Sequence, residues 1–116
     1  MPKMPERQRG NAEILVLALL RERPMYGYEI IRELAERSEG YFNMEEGHLY
    51  PILHRLEGQG LAQTEWREVD GRRRRYYALT RDGLAALNVA SGDWATFARW
   101  FSQILSTQGG GRRVEI

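Results

Sequence analysis

The chain has 116 residues, a formal net charge of +1 and no cysteine, with 42% hydrophobic and 28% charged residues. This composition is typical of one compact soluble domain, and the lack of cysteine excludes disulfides and thiolate metal sites. The longest apolar run, at 14–20, is far shorter than the roughly 20 residues of a membrane helix. Because the first residues also lack the apolar core of a signal peptide, we expect a cytoplasmic protein.

The N-terminal part predicts an arm followed by a helix. Residues 1–10 contain two prolines and several charges without periodicity, which indicates a flexible arm. Asn11 is a suitable N-cap for a leucine-rich helix over 12–22. A buried strand is the competing interpretation of the apolar run at 14–20, but its leucine and alanine content favours the helix.

A second helix is predicted over about 26–38, and Gly40 is a natural stop for it. Its apolar residues recur at helical spacing, and they are Tyr28, Ile31, Leu34 and Ala35. We expect Tyr26 and Tyr28 to be packing residues rather than ligand contacts.

A third helix is predicted over about 46–58, with one apolar and one polar side. The apolar stripe consists of Leu49, Ile52, Leu53 and Leu56. Tyr50, His54 and Arg55 lie off this stripe, so we expect them to face something outside the domain core.

Pro51 constrains the start of this third helix, because proline is tolerated only in about the first turn. Either the regular helix begins near Gly47 or His48, or it is bent at the proline. Both alternatives remain open from the sequence alone.

Two extended segments follow, at 61–69 and 72–80, and Asp70-Gly71 lies between them. Asp-Gly is a strong signal for a two-residue hairpin, because both central residues of a type I′ turn need positive φ. The sequence therefore predicts a β-hairpin whose returning strand begins with four consecutive arginines, Arg72, Arg73, Arg74 and Arg75.

The arginine run is explained by the geometry of a projecting hairpin. Side chains on a strand alternate between faces, so Tyr77 and Leu79 share a face with Arg73 and Arg75. Near the helices the strand must bury apolar groups, whereas both faces of the tip are open to solvent. We therefore expect the arginines to occupy the exposed end of the hairpin.

Thr80 is a suitable N-cap for a last helix over 81–106, and a disordered tail is predicted at 107–116. The helix carries an a/d heptad seam formed by Leu87, Ala90, Trp94, Phe97, Phe101 and Ile104, which Trp100 widens. A lone helix with such a seam exposes a large apolar patch, so we expect a homodimer.

The order helix, helix, helix, hairpin predicts an α+β, mostly helical fold: a winged helix-turn-helix domain at 11–80, followed by a dimerisation helix at 81–106. In this fold the third helix enters the major groove of double-stranded DNA, and the hairpin contacts phosphates or the minor groove. Tyr50, His54 and Arg55 are the candidates for base edges, with Arg55 the best candidate for a guanine.

The sequence resembles the PadR family of transcription regulators. The resemblance is carried by YGYEIIREL at 26–34, EEGHLYPILHRLEGQGL around 46–61, and GRRRRYYALT at 71–80. It implies a dimeric repressor, relieved in many members by a small molecule. The family's DNA-contacting tyrosine and proline correspond to Tyr50 and Pro51, and its wing arginines to the run at 72–75. His48 stands where many members have a small hydroxyl residue.

The short last helix is similar to that of multidrug-sensing members of the family, in which a tryptophan at the position of Trp94 lies at the dimer centre. This implies a planar or hydrophobic effector that would bind at the dimer interface, at residues Trp94, Phe97, Trp100 and Phe101. Two recognition helices about one DNA turn apart, ~34 Å, would engage two half-sites of a palindromic operator.

Other function classes have weaker support. The sequence offers no nucleophile–base pair and no paired carboxylates with a plausible cleft, so we expect neither an enzyme nor a cofactor. His48 and His54 are six positions apart and do not share a helical face, which argues against a metal site. The serious alternative is a winged-helix module that binds proteins without binding specific DNA.

Overall fold

The computed structural model describes residues 6–106, and the arm residues 1–5 and the tail at 107–116 lie outside this range. Four helices and three strands follow one another in the order α1 Glu6–Glu22, β1 Met25–Tyr26, α2 Gly27–Arg37, α3 Glu46–Gly58, β2 Ala62–Val69, β3 Arg72–Leu79 and α4 Arg81–Leu105. The strands form one antiparallel sheet in the order β1-β3-β2. The fold is the predicted mostly helical α+β winged helix-turn-helix.

The core lies between the first three helices, the sheet and the start of α4. The predicted stripe of α3 is fully confirmed, since Leu49, Ile52, Leu53 and Leu56 are all buried. From the sheet, Tyr77 enters the same core and is 1% exposed. The buried face of α3 therefore fixes which of its other side chains can reach solvent.

The helix α1 begins at Glu6, so the predicted N-cap at Asn11 and the predicted arm over 6–10 are wrong. The segment 6–9 consists of Glu, Arg and Gln, which are good helix formers and extend a helix without adding an apolar stripe. The competing strand at 14–20 is also wrong. Val16 and Leu20, one helical turn apart, are both buried in the core.

The predicted inward face of α2 is confirmed at Leu34, but its first turn is rotated by about one residue. The buried residues are Gly27, Ile30 and Leu34, whereas Tyr28 is 55% exposed. A Cβ at Gly27 would collide with the phenol group of Tyr50 on α3, so α2 turns its glycine toward this ring and Tyr28 toward solvent. The expectation that Tyr28 packs in the interior is therefore wrong.

The helix α3 starts at Glu46 and continues through Pro51, so neither Gly47 nor His48 is its first residue. Glu45 is the N-cap residue and has extended backbone angles. Pro51 cannot donate to the carbonyl of Gly47, one turn earlier, but Gly47 is exposed and water can take that bond.

The helix α4 is fastened to the domain at its first turn. As predicted, Thr80 caps it, since the hydroxyl oxygen accepts from the amide of Gly83 at 2.9 Å. The same hydroxyl donates to the carbonyl of Gly60 at 2.7 Å. Gly83 lies against the carbonyl of Leu61 so closely that no Cβ would fit. The start of α4 is thereby held against the segment that joins α3 to the sheet.

Only the first turns of α4 belong to the core. Leu87 is 1% exposed, whereas Ile104 is 67% exposed. The molecule measures 67 × 33 × 21 Å, and its radius of gyration of 17.7 Å exceeds the ~13 Å of a compact chain of this length. The elongation comes from α4, which extends away from the winged-helix domain.

Candidate nucleic-acid interface

The hairpin turn has the predicted chemistry. Asp70 and Gly71 have φ of +53° and +77°, the pair of positive values that a type I′ turn requires. The register pairs Val69 with Arg72, directly beside the turn. We call residues 62–79, which form β2, β3 and their turn, the wing.

The four wing arginines on β3 are not equivalent. Arg72 and Arg73 are exposed, and the guanidinium of Arg73 lies 4.8 Å from the ring centre of Trp66. Arg74 is half-buried, with its guanidinium 4.3 Å from the ring centre of Tyr26. Stacking on a ring leaves the N–H edges of a guanidinium able to donate, so a stacked arginine can still bind a phosphate.

Arg75 lies at the base of the wing rather than at its exposed end. Its Nη2 is 3.2 and 3.3 Å from the two carboxylate oxygens of Glu57, near the end of α3. The expectation that all four arginines occupy the exposed end is therefore wrong for Arg75. The strand turns this residue inward because it shares a face with Tyr77, which is buried in the core.

The predicted contact residues of α3 fall into two groups. Pro51, His54 and Arg55 are exposed, whereas His48 and Tyr50 are half-buried. Tyr50 packs against the core, with its phenol group at Gly27 and its ring centre 6.2 Å from that of His54. The outer face of α3 is therefore built around the exposed side chains of His54 and Arg55, with the half-buried Tyr50 beside them.

Arg55 is ion-paired within the protein. Its Nη2 donates to a carboxylate oxygen of Glu13 on α1, although about half of the arginine side chain is exposed. Any partner that binds Arg55 through the same nitrogen must therefore compete with Glu13. The sequence placed Arg55 on the outer face of α3 but gave no sign of this partner on another helix.

Two residues of α2 that sequence reasoning did not select join the same surface. The guanidinium of Arg32 lies 5.5 Å from the ring centre of Tyr28, and both side chains are exposed. Together they border a hollow whose other walls include Arg72, Arg73 and Glu46. Tyr28 and Arg32 are four residues apart on α2, so the sequence indicates that they lie on the same side of this helix. It does not show that this side lies next to the wing.

A second exposed surface runs along the far part of α4. The rings of Trp94 and Phe97 have centres 5.4 Å apart, and those of Phe97 and Phe101 are 5.3 Å apart. These side chains and Trp100 are each about half exposed. Leu87 belongs to the core of its own chain, so its predicted place in an intermolecular seam is wrong. The apolar surface open to a partner consists of the aromatic residues beyond it.

The strongest electrostatic contacts lie away from both surfaces. Arg37 donates to both carboxylate oxygens of Glu22 at 2.7 Å, and this hydrogen bonding lowers the pKa of Glu22 and raises that of Arg37. Arg37 also donates to Glu33 on its own helix at 2.8 Å, whereas its contact with Glu22 joins α2 to the end of α1. These pairs hold the helices in their arrangement.

Within residues 6–106, no group of three or more histidine and acidic side chains is placed to hold a metal ion. In the same range, no helix is both long and apolar enough to cross a membrane. The surfaces that distinguish this part of the chain are therefore the arginine-rich face of α3 and the wing, and the aromatic face of α4.

Comparisons with known proteins agree with this architecture. Residues 16–89 match the model of the transcriptional regulator PadR-like family. A transcriptional regulator of Mycobacterium tuberculosis is 39% identical over 84 residues, which are 72% of this chain and 76% of that protein.

Solved structures extend the agreement to three dimensions. A PadR family transcriptional regulator from Eggerthella lenta is similar with a TM-score of 0.75 and 36% identity, covering 88% of each chain. A PadR family regulator from Clostridium difficile has a TM-score of 0.72 and 30% identity, covering 84% of this chain and all of that one. The chain therefore belongs to the PadR-like family of transcriptional regulators.

Proposed function

We propose that the protein is a homodimeric repressor that binds double-stranded DNA through α3 and the wing and is released by a small planar or hydrophobic effector. The observation that carries DNA binding is the exposure of Arg72 and Arg73 beside the outer face of α3. In a chain of net charge +1, the run of four consecutive arginines at 72–75 is a localised contact for a polyanion.

The proposed docking places α3 in the major groove, which is ~12 Å wide and admits one helix. His54 and Arg55 would then face base edges or nearby phosphates, with Pro51 between them and with Tyr50 and His48 at the two edges of this surface. Wing arginines would contact the adjacent backbone or minor groove, where guanidinium groups form short charge-assisted bonds.

Dimerisation is supported by the aromatic face of α4. Four aromatic side chains, Trp94, Phe97, Trp100 and Phe101, are each about half exposed along one stretch of helix. Soluble monomers rarely expose a contiguous apolar patch of this kind. Two copies related by a two-fold axis would present two copies of α3 to the half-sites of a palindromic operator, ~34 Å apart.

The proposed effector site lies between the paired α4 helices at Trp94. A flat apolar or cationic compound would stack on the indole and on Phe97, using aromatic or cation–π contacts. Such a compound regulates only if it binds one arrangement of the dimer better than another. The compound would then change the spacing of the two α3 helices and release the operator.

We further propose that the protein is not an enzyme and needs no cofactor, because the sequence offers no nucleophile–base pair. A regulator of chromosomal genes works in the cytoplasm, and we place it there on the family alone. A winged-helix module that binds proteins remains the second candidate, and the exposed Trp66 and Val69 of the wing favour it.

The experiment that separates these functions is duplex DNA binding at several salt concentrations, with DNA from upstream of the protein's own gene and a scrambled duplex of the same length. We expect tighter binding to the upstream DNA, a footprint with two half-sites, and a steep fall of affinity with salt. Equal, weak binding to both duplexes would favour the protein-binding module.

The effector is tested by tryptophan fluorescence with planar dyes and drugs, on the parent and on Trp94→Ala. We expect the variant to remain dimeric and to lose binding. If a dimeric Trp94→Ala protein binds every compound that the parent binds, the sensor is elsewhere.

A further inference from the structure

A polar cluster joins the base of the wing to the end of α3. The Nη2 of Arg75 donates to both carboxylate oxygens of Glu57, at 3.2 and 3.3 Å. The hydroxyl of Thr64, on β2, donates to Glu57 at 3.3 Å and lies 3.4 Å from the same guanidinium nitrogen. One arginine, one carboxylate and one hydroxyl thus connect α3 with both strands of the wing.

The surroundings of Arg75 differ from those of a phosphate-binding arginine. Its guanidinium lies 5.7 Å from the ring centre of Tyr77, which is buried in the core. Its Nε is buried and has no hydrogen-bond partner within the described residues. Its Nη2 is already occupied by a carboxylate. Of the four arginines on β3, this one has the fewest donors to offer DNA.

We infer that Glu57 and Arg75 are positioning residues, which fix the angle between the wing and α3 and so place Arg72 and Arg73 for DNA. This rests on the proposed function. From the Trp66–Arg75 pair to the turn is about four residues, or ~13 Å of strand. A rotation of ~10° at the base would move the arginines at the tip by about 2 Å, enough to break a phosphate hydrogen bond.

The energetics favour a positioning role over a stabilising one. The side chains of Arg75 and Glu57 are 39% and 34% exposed, and ion pairs at such sites contribute little to folding. The β2–β3 pairing and the buried Tyr77 also hold the wing, so we expect the domain to stay folded when the pair is removed. The loss of the pair therefore frees the angle of the wing while the domain stays folded.

The direction in which one substitution changes DNA affinity distinguishes a positioning role from a purely electrostatic one. Glu57→Ala removes a negative charge near the DNA surface, which by electrostatics alone would strengthen binding. Positioning predicts the opposite, a loss of about tenfold in affinity, since coupled residues have interaction energies of this order. The matched control is Glu65→Ala, which removes an acid paired with Arg67 at 2.9 Å on the same wing and should bind DNA as tightly as the parent or more tightly.

Two further variants test the partner. Arg75→Lys keeps the charge but lacks the planar guanidinium, whose Nη2 reaches both Glu57 and Thr64 and which lies 5.7 Å from the ring centre of Tyr77. We therefore expect it to lose affinity as Glu57→Ala does. Arg75→Ala should cost less affinity in the Glu57→Ala background than in the parent. If Arg75→Lys binds like the parent, or if the two alanine substitutions simply add, Arg75 is an ordinary phosphate contact and the inference is overturned.

Hydrogen exchange provides a readout that does not need DNA. Amides of the wing between 65 and 74 should exchange faster in Glu57→Ala than in the parent, and at the parent rate in Glu65→Ala. Unchanged exchange in Glu57→Ala, or unchanged or increased DNA affinity, overturns the inference. If the parent itself does not bind duplex DNA, the proposed function fails, and exchange alone decides whether the pair holds the wing.

Discussion

Arg55, on the outer face of α3, is ion-paired with Glu13 of α1. The residue best placed to read a guanine is thus held by a carboxylate of its own chain. If α3 enters the groove as we propose, DNA that binds Arg55 through Nη2 must replace this partner, and the pair then lowers the affinity of the protein for that DNA. A duplex that offers Arg55 two acceptors compensates for the lost pair better than one that offers it none.

We therefore predict that Glu13→Gln strengthens DNA binding and that Arg55→Ala weakens discrimination between operator and scrambled duplex by about 1–3 kcal/mol. Affinities measured by fluorescence anisotropy for the four combinations of these two substitutions test the pair. In the Arg55→Ala background, Glu13→Gln should retain only the general effect of removing a charge. An equal gain in both backgrounds would show that Glu13 acts on DNA without Arg55.

The exposed wing arginines should supply affinity without sequence preference. Replacing Arg72 and Arg73 by alanine should weaken binding to all duplexes and make the slope of log K against log salt shallower by about 1.8, or ~0.9 per phosphate contact. Arg21→Ala is the control, because Arg21 shares a hollow with the start of α4 rather than with the wing tip. If the double variant keeps the salt slope of the parent, the tip of the wing does not contact phosphates.

Gly83 should tolerate no side chain. A Cβ there would collide with the carbonyl of Leu61. Gly83→Ala must therefore move the start of α4 away from the segment at 60–61, to which Thr80 is hydrogen-bonded. We expect a loss of about 1–3 kcal/mol in the free energy of unfolding. Gly58→Ala, at the end of α3, has open space around it and should stabilise by up to ~1 kcal/mol. Urea unfolding of both variants tests this. If Gly83→Ala leaves the free energy of unfolding unchanged, the start of α4 is not packed tightly against Leu61.

The aromatic face of α4 should hold the dimer. Phe97→Glu places a charge in this face and should yield folded monomers that bind the operator far more weakly, as analytical ultracentrifugation and circular dichroism can show. The control, Gln103→Glu, introduces the same charge on the opposite side of the helix, about 180° around its axis from Trp94. This variant should remain dimeric. If the parent protein is monomeric at micromolar concentration, the proposed dimer through α4 is wrong.

Alkaline pH should weaken the fold through Tyr77. Burial raises the pKa of its phenol, so the folded protein keeps a proton that the unfolded chain releases above pH ~10. Stability is therefore fully present below that pH and falls as the pH rises through it. The free energy of unfolding should decline less steeply in Tyr77→Phe, whereas Tyr28→Phe, at an exposed position, should follow the parent.

The features that the sequence predicted well are those that short-range chemistry decides. The Asp70-Gly71 turn follows from the backbone angles that these two residues tolerate. The stripe of α3 and the cap at Thr80 follow from spacing and from one hydroxyl. All three depend on residues within a few positions of each other, so no knowledge of the remaining fold was needed.

The features that it predicted poorly are set by contacts between distant segments. The strand β1 exists because Met25 pairs with Tyr77, and two residues alone carry no strand signal. Which side of α2 is buried depends on the ring of Tyr50, which lies on another helix. Among the candidate site residues, Arg75 was grouped with the DNA contacts because nothing local shows that the strand carries it to Glu57.

The helix α4 meets two chemically separate environments along its length. Gly83 and Leu87 are fixed by the core, while Trp94 and the aromatic residues beyond it contact no part of that core. Substitutions in the far half can therefore accumulate without weakening the winged-helix domain. If the far half forms the dimer as we propose, a cell that contains several regulators of this architecture can keep their subunits from mixing by letting only this half diverge, while the winged-helix domain is retained.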